Sequence, residues 1–160
     1  LERRWWRRLV AQVMPPERFG DFDGLFDELF AYFGQPDAWQ LFPESLTTLA
    51  ALRDRQLQLA IVSNFDARLF RLCDELGLAA RVHAVIASSR IGYAKPDRRI
   101  FHLTLRRLGV PPAEALHVGD SPVEDVDGAR AAGLQALQLD RGGSGGGDTI
   151  HDLSQILEHL

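Results

Sequence analysis

From Phe42 onward, short apolar runs alternate with stretches whose apolar residues recur every three or four positions. The runs at 58–62, 82–87, 115–118 and 134–139 read as buried strands. Residues 44–55, 67–76 and 98–108 read as helices. Gly77 and Gly109 stop the second and third of these, and Asp97 is placed to cap the third. A small-residue helix opens at Gly128-Ala129 and stops at Gly133. A last helix is expected after Thr149, with Ile150, Leu153, Ile156, Leu157 and Leu160 on its apolar side. The glycine-rich run 142–147 reads as a flexible loop. Strands alternating with helices predict an α/β fold, a parallel sheet with right-handed crossovers.

Residues 1–41 carry a different pattern and no strand signal. Pro15-Pro16 and Gly34-Gln35-Pro36 break them into two or three helices. On the first, Trp5, Trp6, Leu9, Val10 and Val13 fall on one side, and Arg3, Arg4, Arg7 and Arg8 on the other. The expectation is a helix with its tryptophans packed inward; a basic-aromatic face for nucleic acid or membrane is the alternative. Phe22, Leu25, Phe26, Leu29, Phe30 and Phe33 recur at helical spacing, a second amphipathic helix. Phe42-Pro43 marks the boundary, so two domains are expected, 1–41 and 42–160.

Composition narrows the function classes. Hydrophobic residues make up 46% of the chain, enough for a real core. A formal net charge of -4 gives no general attraction to nucleic acid or to an anionic membrane. No stretch is long and apolar enough to span a bilayer, and no secretory signal is visible. Cys73 is the single cysteine, so no internal disulfide can form. It reads as a buried small hydrophobe in a reducing, cytoplasmic setting. Residue 1 is Leu, which suggests a processed or incomplete chain.

Three short segments carry candidate chemistry. The first is HVGDSPVEDVDGARAAG, residues 117–133. Asp120 ends an apolar run, and Asp125 follows one helical turn into the next element. Two carboxylates so placed suit Mg²⁺, a hard ion that takes one or two protein carboxylates. The strand end is also where open α/β sheets bind ligands. The bland alternative is a turn followed by a helix N-terminal acid. The second segment is LAIVSN, ending in Ser63 and Asn64. Ser63 at a strand end can hydrogen-bond a phosphate oxygen, though Ser-Asn also serves as an ordinary helix cap. The third is GYAKPD. Of eighteen Lys and Arg, Lys95 is the only lysine. A compact ammonium aimed at one oxygen is not replaceable by a forked guanidinium. His117 abuts the Gly-Asp turn; a strand residue hydrogen-bonded in the core is expected, with contact to the site as the alternative. The other histidines give no zinc spacing.

SN, then KPD, then GDSxxxD, in this order and at this spacing, resembles the haloacid dehalogenase-like superfamily of hydrolases. The resemblance covers roughly residues 43–141. IVSNFD, the KPD-xx-IF segment and HVGDS resemble the branch with a helical cap inserted after the first motif. It implies a Rossmannoid three-layer α/β sandwich with residues 1–41 as a partial cap. It also implies a Mg²⁺-dependent phosphatase of a small phosphorylated metabolite, acting through an aspartyl-phosphate intermediate. In that scheme Lys95 and Asp120 are catalytic and Ser63 binds a phosphate oxygen. Asn64 contacts substrate or loop backbone, and Asp120 and Asp125 hold Mg²⁺. Nucleic acid and membrane are not expected partners.

One element of the family pattern is missing. The first motif, DxDGT-like at the end of a central strand, supplies the nucleophilic Asp and the acid/base Asp. Its only candidates are Asp21 and Asp23 in DFDG. The preceding VMPPERFG has two prolines and no apolar run, so it is no central strand. No nucleophile is therefore found, and the first strand is expected to be absent from this chain. That strand lies between the second and fourth in the family's fold, so two buried edges should face each other unpaired. Two alternatives follow: a non-catalytic scaffold of this fold, or a metal-independent 2-haloacid dehalogenase. Against the latter, the Gly119-Asp120 pair is intact.

Overall fold

The computed structural model describes residues 2–143 and 146–160. The chain divides into two compact units, Leu1–Gln40 and Leu41–Leu160.

The first unit is a helical hairpin of α1 (Glu2–Val13) and α2 (Phe22–Tyr32). Asp21 caps α2, its carboxylate accepting from the Gly24 N–H at 2.9 Å. The expected orientation of α1 is found only in part: Trp6 and Val10 are half-buried, while Trp5, Leu9 and Val13 are exposed along with the four arginines. Trp5 is 55% exposed and Val13 is 79% exposed. Arg3 and Arg7 face α2, where Arg3 pairs with Asp27 and Arg7 with Asp23 at 2.6 Å. Their guanidiniums lie over the rings of Phe26 and Phe22 at 5.8 and 5.1 Å. The reason lies on α2. Asp23 and Asp27 are one turn apart, beside the Phe22–Phe26 stripe that is buried. Arginine satisfies both, pairing with the carboxylate and stacking on the ring.

The second unit is the α/β body. α3 (Ser45–Asp54) leads to β1 (Ala60–Ser63), α4 (Arg68–Glu75) and β2 (Ala84–Ala87). A four-residue helix, α5 (Ser88–Ile91), follows β2 without a break. Then come α6 (Arg98–Leu108), β3 (Leu116–Gly119), α7 (Gly128–Ala131), β4 (Gln135–Leu139) and β5 (Thr149–Ile150). Gly77 and Gly109 adopt φ of 71° and 69°, left-handed values that favour glycine after a helix. The expected α/β fold with parallel strands is present. β1 pairs with β2 in parallel, and β3, β4 and β5 form a parallel three-stranded sheet.

No ladder joins β1 to β3 among the described residues. Between them lies a cavity of about 310 Å³, lined on one side by Leu59, Ala60 and Val62 and on the other by Leu116 and His117. Phe101 and Leu105 of α6 also line it. This is the gap that the resemblance implies for a missing central strand.

One sequence expectation is corrected. Instead of a helix from Thr149, the chain pairs Thr149 and Ile150 with β4 and then turns into a 3₁₀ helix, Leu153–Glu158. Pairing with Gln138 and Leu139 buries Ile150 to 2% exposure, which helix propensity alone cannot match. Residues 122–127, between Asp120 and the small-residue helix, form a π-helical turn. The glycine run 142–147 falls partly on residues 144–145, outside the described residues.

The core gathers Ile86, Ile100, Phe101, Val126 and Ala129. Gly128 sits where a Cβ would lie 2.9 Å from Pro96 Cα and 3.2 Å from Phe101 Cε2. Gly128→Ala should therefore cost about 1–3 kcal/mol through overpacking, read as a lower urea midpoint at unchanged m. Asp97 caps α6, accepting from the Arg99 N–H at 2.9 Å and from its side chain. The Arg99 hydrogen bonds hold its carboxyl down at about 2. An acid depressed in the fold stabilises above its unfolded pKa of about 3.9 and loses that contribution as pH falls. The stability advantage of the wild-type chain over Asp97→Ala should thus be full above about pH 4 and shrink toward pH 2, checked by melting curves across that range.

Candidate active site

The candidate residues from three distant segments meet at the carboxyl ends of β1 and β3. Ser63 is the last residue of β1, and Asn64 follows it. Gly119 is the last residue of β3, and Asp120 follows it. Asn64 Nδ2 donates to Glu124 Oε2 at 3.0 Å, which ties the two strand ends together.

Asp125 is the hub. It is 2% exposed, yet three donors converge on it. Lys95 Nζ reaches Oδ1 at 2.5 Å, His117 Nε2 reaches the same oxygen at 2.8 Å, and the Ser121 N–H donates to Oδ2 at 3.1 Å. Burial by itself raises a carboxyl's pKa. Here the hydrogen bonds from His117 and Lys95 and the Lys95 charge outweigh it, and Asp125 is held well below the usual carboxylate range. The π-helical turn sets this geometry. The N–H groups of Asp125 and Val126 both reach back to the Ser121 carbonyl, at 3.0 and 3.3 Å, while Ser121 Oγ accepts from the Glu124 N–H. Gly119 makes room: a Cβ there would collide with the Asp125 carboxylate. π-turns of this kind concentrate at functional sites.

Asp120 has the opposite environment. It is exposed and makes no hydrogen bond or ion pair among the described residues. Ser63 is half-buried, and its hydroxyl makes no hydrogen bond among them either. Asn64 is fully engaged on protein. Oδ1 accepts from the Lys95 N–H at 2.7 Å, and Nδ2 donates to the Lys95 carbonyl at 2.9 Å besides Glu124. Asp21 and Asp23 belong to the other unit, as a helix cap and as the partner of Arg7. Asp127 is exposed.

Glu124 is not singled out by the sequence, and for His117 the structure joins the two readings the sequence allows. His117 is a strand residue as expected, yet it touches the site through Asp125 and packs edge-on against Phe101 at 5.1 Å. Its place two residues before Gly119, with its side chain on the Asp125 side of β3, was the available signal. Glu124 gave none beyond its charge.

No group of three or more His, Cys, Asp and Glu side chains that could hold a metal exists among the described residues. The carboxylates at this strand end are Asp120 and Asp125. Asp120 offers a free carboxylate at the strand end. Asp125 keeps an Oδ2 bonded only to one N–H, while its Oδ1 is taken. Mg²⁺, which keeps waters and substrate oxygens in its shell, matches such a set.

A haloacid dehalogenase-like hydrolase profile matches residues 2–133, and the chain belongs to that family. A haloacid dehalogenase-like hydrolase domain-containing protein 3 from Bos taurus is 38% identical over 137 residues, 84% of this chain and 55% of that protein. A phosphoserine phosphatase from Thermus thermophilus is 42% identical over 115 residues, 70% of this chain and 45% of the enzyme. A solved HAD phosphatase from Thermococcus onnurineus superposes with a TM-score of 0.76 at 32% identity, covering 86% of this chain and 68% of that one. A solved 2-haloacid dehalogenase from Pseudomonas syringae also shares the fold, with a TM-score of 0.71 at 30% identity over 98% of this chain and 68% of its own. The chain spans about half the length of the curated relatives it matches.

Removing the hub should be costly. Asp125→Ala leaves Lys95, 11% exposed, without its anion. A loss of about 3–5 kcal/mol is expected in urea unfolding. A loss below about 1 kcal/mol would show that the pair does not hold the site together.

Proposed function

We propose that this hydrolase is a Mg²⁺-dependent phosphatase of a small phosphorylated metabolite. The observation that carries the reading is the contrast between two acids. Asp125 is buried and committed to Lys95 and His117, while Asp120, just after β3, is exposed with no hydrogen bond or ion pair among the described residues. A phosphate at that place would meet a hydroxyl donor, an ammonium and a metal-binding carboxylate. Similarity to proteins named as phosphatases supports the same reading.

The residues present divide the work. Ser63 would donate its hydroxyl to a phosphate oxygen. Lys95, held by Asp125, would place its positive charge beside the nucleophile and the phosphoryl group. Asp120, with Asp125 as a second ligand or a neighbour through water, would hold Mg²⁺. Bound there, the ion would supply charge neutralisation of the phosphate. The nucleophilic carboxylate would come from a strand filling the gap between β1 and β3. It attacks phosphorus, the ester P–O bond breaks, and the alcohol leaves with a proton from the acid/base carboxylate. Water then hydrolyses the acyl phosphate. Residues 1–41 would serve as part of a helical cap. A cytoplasmic location is proposed on the free Cys73 thiol.

A second reading, the metal-independent dehalogenase, has the Pseudomonas syringae structure in its favour. The free carboxylate of Asp120 favours the phosphatase, since halide displacement has no use for a metal ligand there.

The test is p-nitrophenyl phosphate hydrolysis by the intact protein with and without Mg²⁺. Asp120→Asn should abolish turnover while shifting stability by no more than about 0.5 kcal/mol, because the side chain is exposed and unpartnered among the described residues. Asp21→Asn should leave turnover unchanged. Metal-independent release of halide from 2-chloropropionate, with no phosphatase activity, would favour the dehalogenase. Turnover lost in Asp21→Asn would make DFDG the first motif after all.

A further inference from the structure

The Asn64 side chain and the Lys95 backbone form a closed pair. Asn64 Oδ1 accepts from the Lys95 N–H at 2.7 Å, and Asn64 Nδ2 donates to the Lys95 carbonyl at 2.9 Å. The amide thus acts as one rung of a ladder between the end of β1 and a loop thirty-one residues away. Its remaining N–H goes to Glu124 Oε2 at 3.0 Å, at the start of the turn that carries Asp125. Only one orientation of the amide satisfies all three contacts, because its nitrogen faces two acceptors and its oxygen faces a donor. Both amide hydrogens are then spent on protein, and no donor remains for a phosphate. Meanwhile Lys95 must span a fixed distance to meet Asp125 Oδ1 at 2.5 Å. Wherever its backbone moves, the ammonium moves too.

We infer that Asn64 is a positioning residue that fixes the Lys95 main chain and so sets the reach of the ammonium, rather than a ligand of the substrate. Its kinetic consequence rests on the phosphatase reading above; its structural consequence does not. Aspartate cannot do the same job at 64. Aspartate keeps the acceptor for the Lys95 N–H but sets a carboxylate against the Lys95 carbonyl and Glu124, two acceptors with no proton between.

Two readouts on the intact protein test this. The first needs no activity. Native-state acylation of Lys95 by an amine-reactive ester, followed on the Lys95 peptide by mass spectrometry, reports how firmly the ammonium is held. Asn64→Ala should raise that rate by roughly tenfold, the scale of losing two net hydrogen bonds. The buried Cys73 thiol, 2% exposed, is the control: its reactivity should stay unchanged. Asn64→Asp should raise Lys95 labelling in the same way and serves if the alanine variant folds poorly. Lys95 labelling unchanged in both variants, or rising only together with Cys73, overturns the inference. The second readout is a double-mutant cycle on p-nitrophenyl phosphate. Asn64→Ala should lower kcat with little change in KM, and should cost nothing further in a Lys95→Ala background. Additive losses, or a loss carried by KM, would place Asn64 on the substrate and overturn the inference. A wild-type protein without phosphatase activity would sink the function proposed above, and the labelling result would still decide the role of Asn64.

Discussion

A carboxylate that is 2% exposed cannot stay ionised unless charge and hydrogen bonds replace the water it has lost. Asp125 meets that condition with an ammonium, an imidazole and a backbone N–H. Each donor comes from a different piece of chain: the loop before α6, the strand β3, and the start of the π-turn. The buried ion therefore specifies how these pieces must be arranged, whatever it contributes to net stability. Gly119 and Gly128 follow from the same constraint. One gives the Asp125 carboxylate room against β3, and the other lets the segment after it close onto Pro96 and Phe101.

The division between a committed acid and a free one gives the site its chemical character. Asp125 is bound by Lys95, His117 and the Ser121 N–H. Asp120, five residues earlier, is exposed at the end of β3 with nothing bound to it among the described residues. Carboxylates in such different surroundings take different roles. The open gap between β1 and β3 continues the argument. Most of the side chains lining it are apolar, among them Leu59, Val62, Phe101 and Leu116, and the carboxyl ends of the strands beside it are where ligands sit in parallel α/β folds.

Much of this was legible in the sequence because the chemistry left few substitutes. A single lysine among eighteen cationic residues, a hydroxyl at a strand end, and a Gly-Asp break after an apolar run each stand out against their surroundings. The missing central strand was legible too, since VMPPERFG cannot be buried between two strands. What escaped were properties of pairs. Nothing in the spacing of Asn64 says that its amide closes on a backbone thirty-one residues on. His117 looked like a core residue and is also a partner of Asp125. On α1, helical periodicity separated arginines from tryptophans but could not say which face docks. That depended on Asp23 and Asp27 lying beside the phenylalanines of α2. β5 was hidden for a similar reason: two residues gain strand character only from the edge of β4.

The central claim is that the ends of β1 and β3 form a phosphate site between Ser63, Lys95 and Asp120. Its most direct test is a crystal of the intact protein soaked with Mg²⁺ and tungstate, a tetrahedral dianion of phosphate-like shape whose metal scatters anomalously. The account predicts one strong anomalous peak within hydrogen-bonding reach of the Ser63 hydroxyl and the Lys95 ammonium, with Asp120 on the Mg²⁺. A tungstate bound elsewhere, with these three side chains untouched, would contradict it.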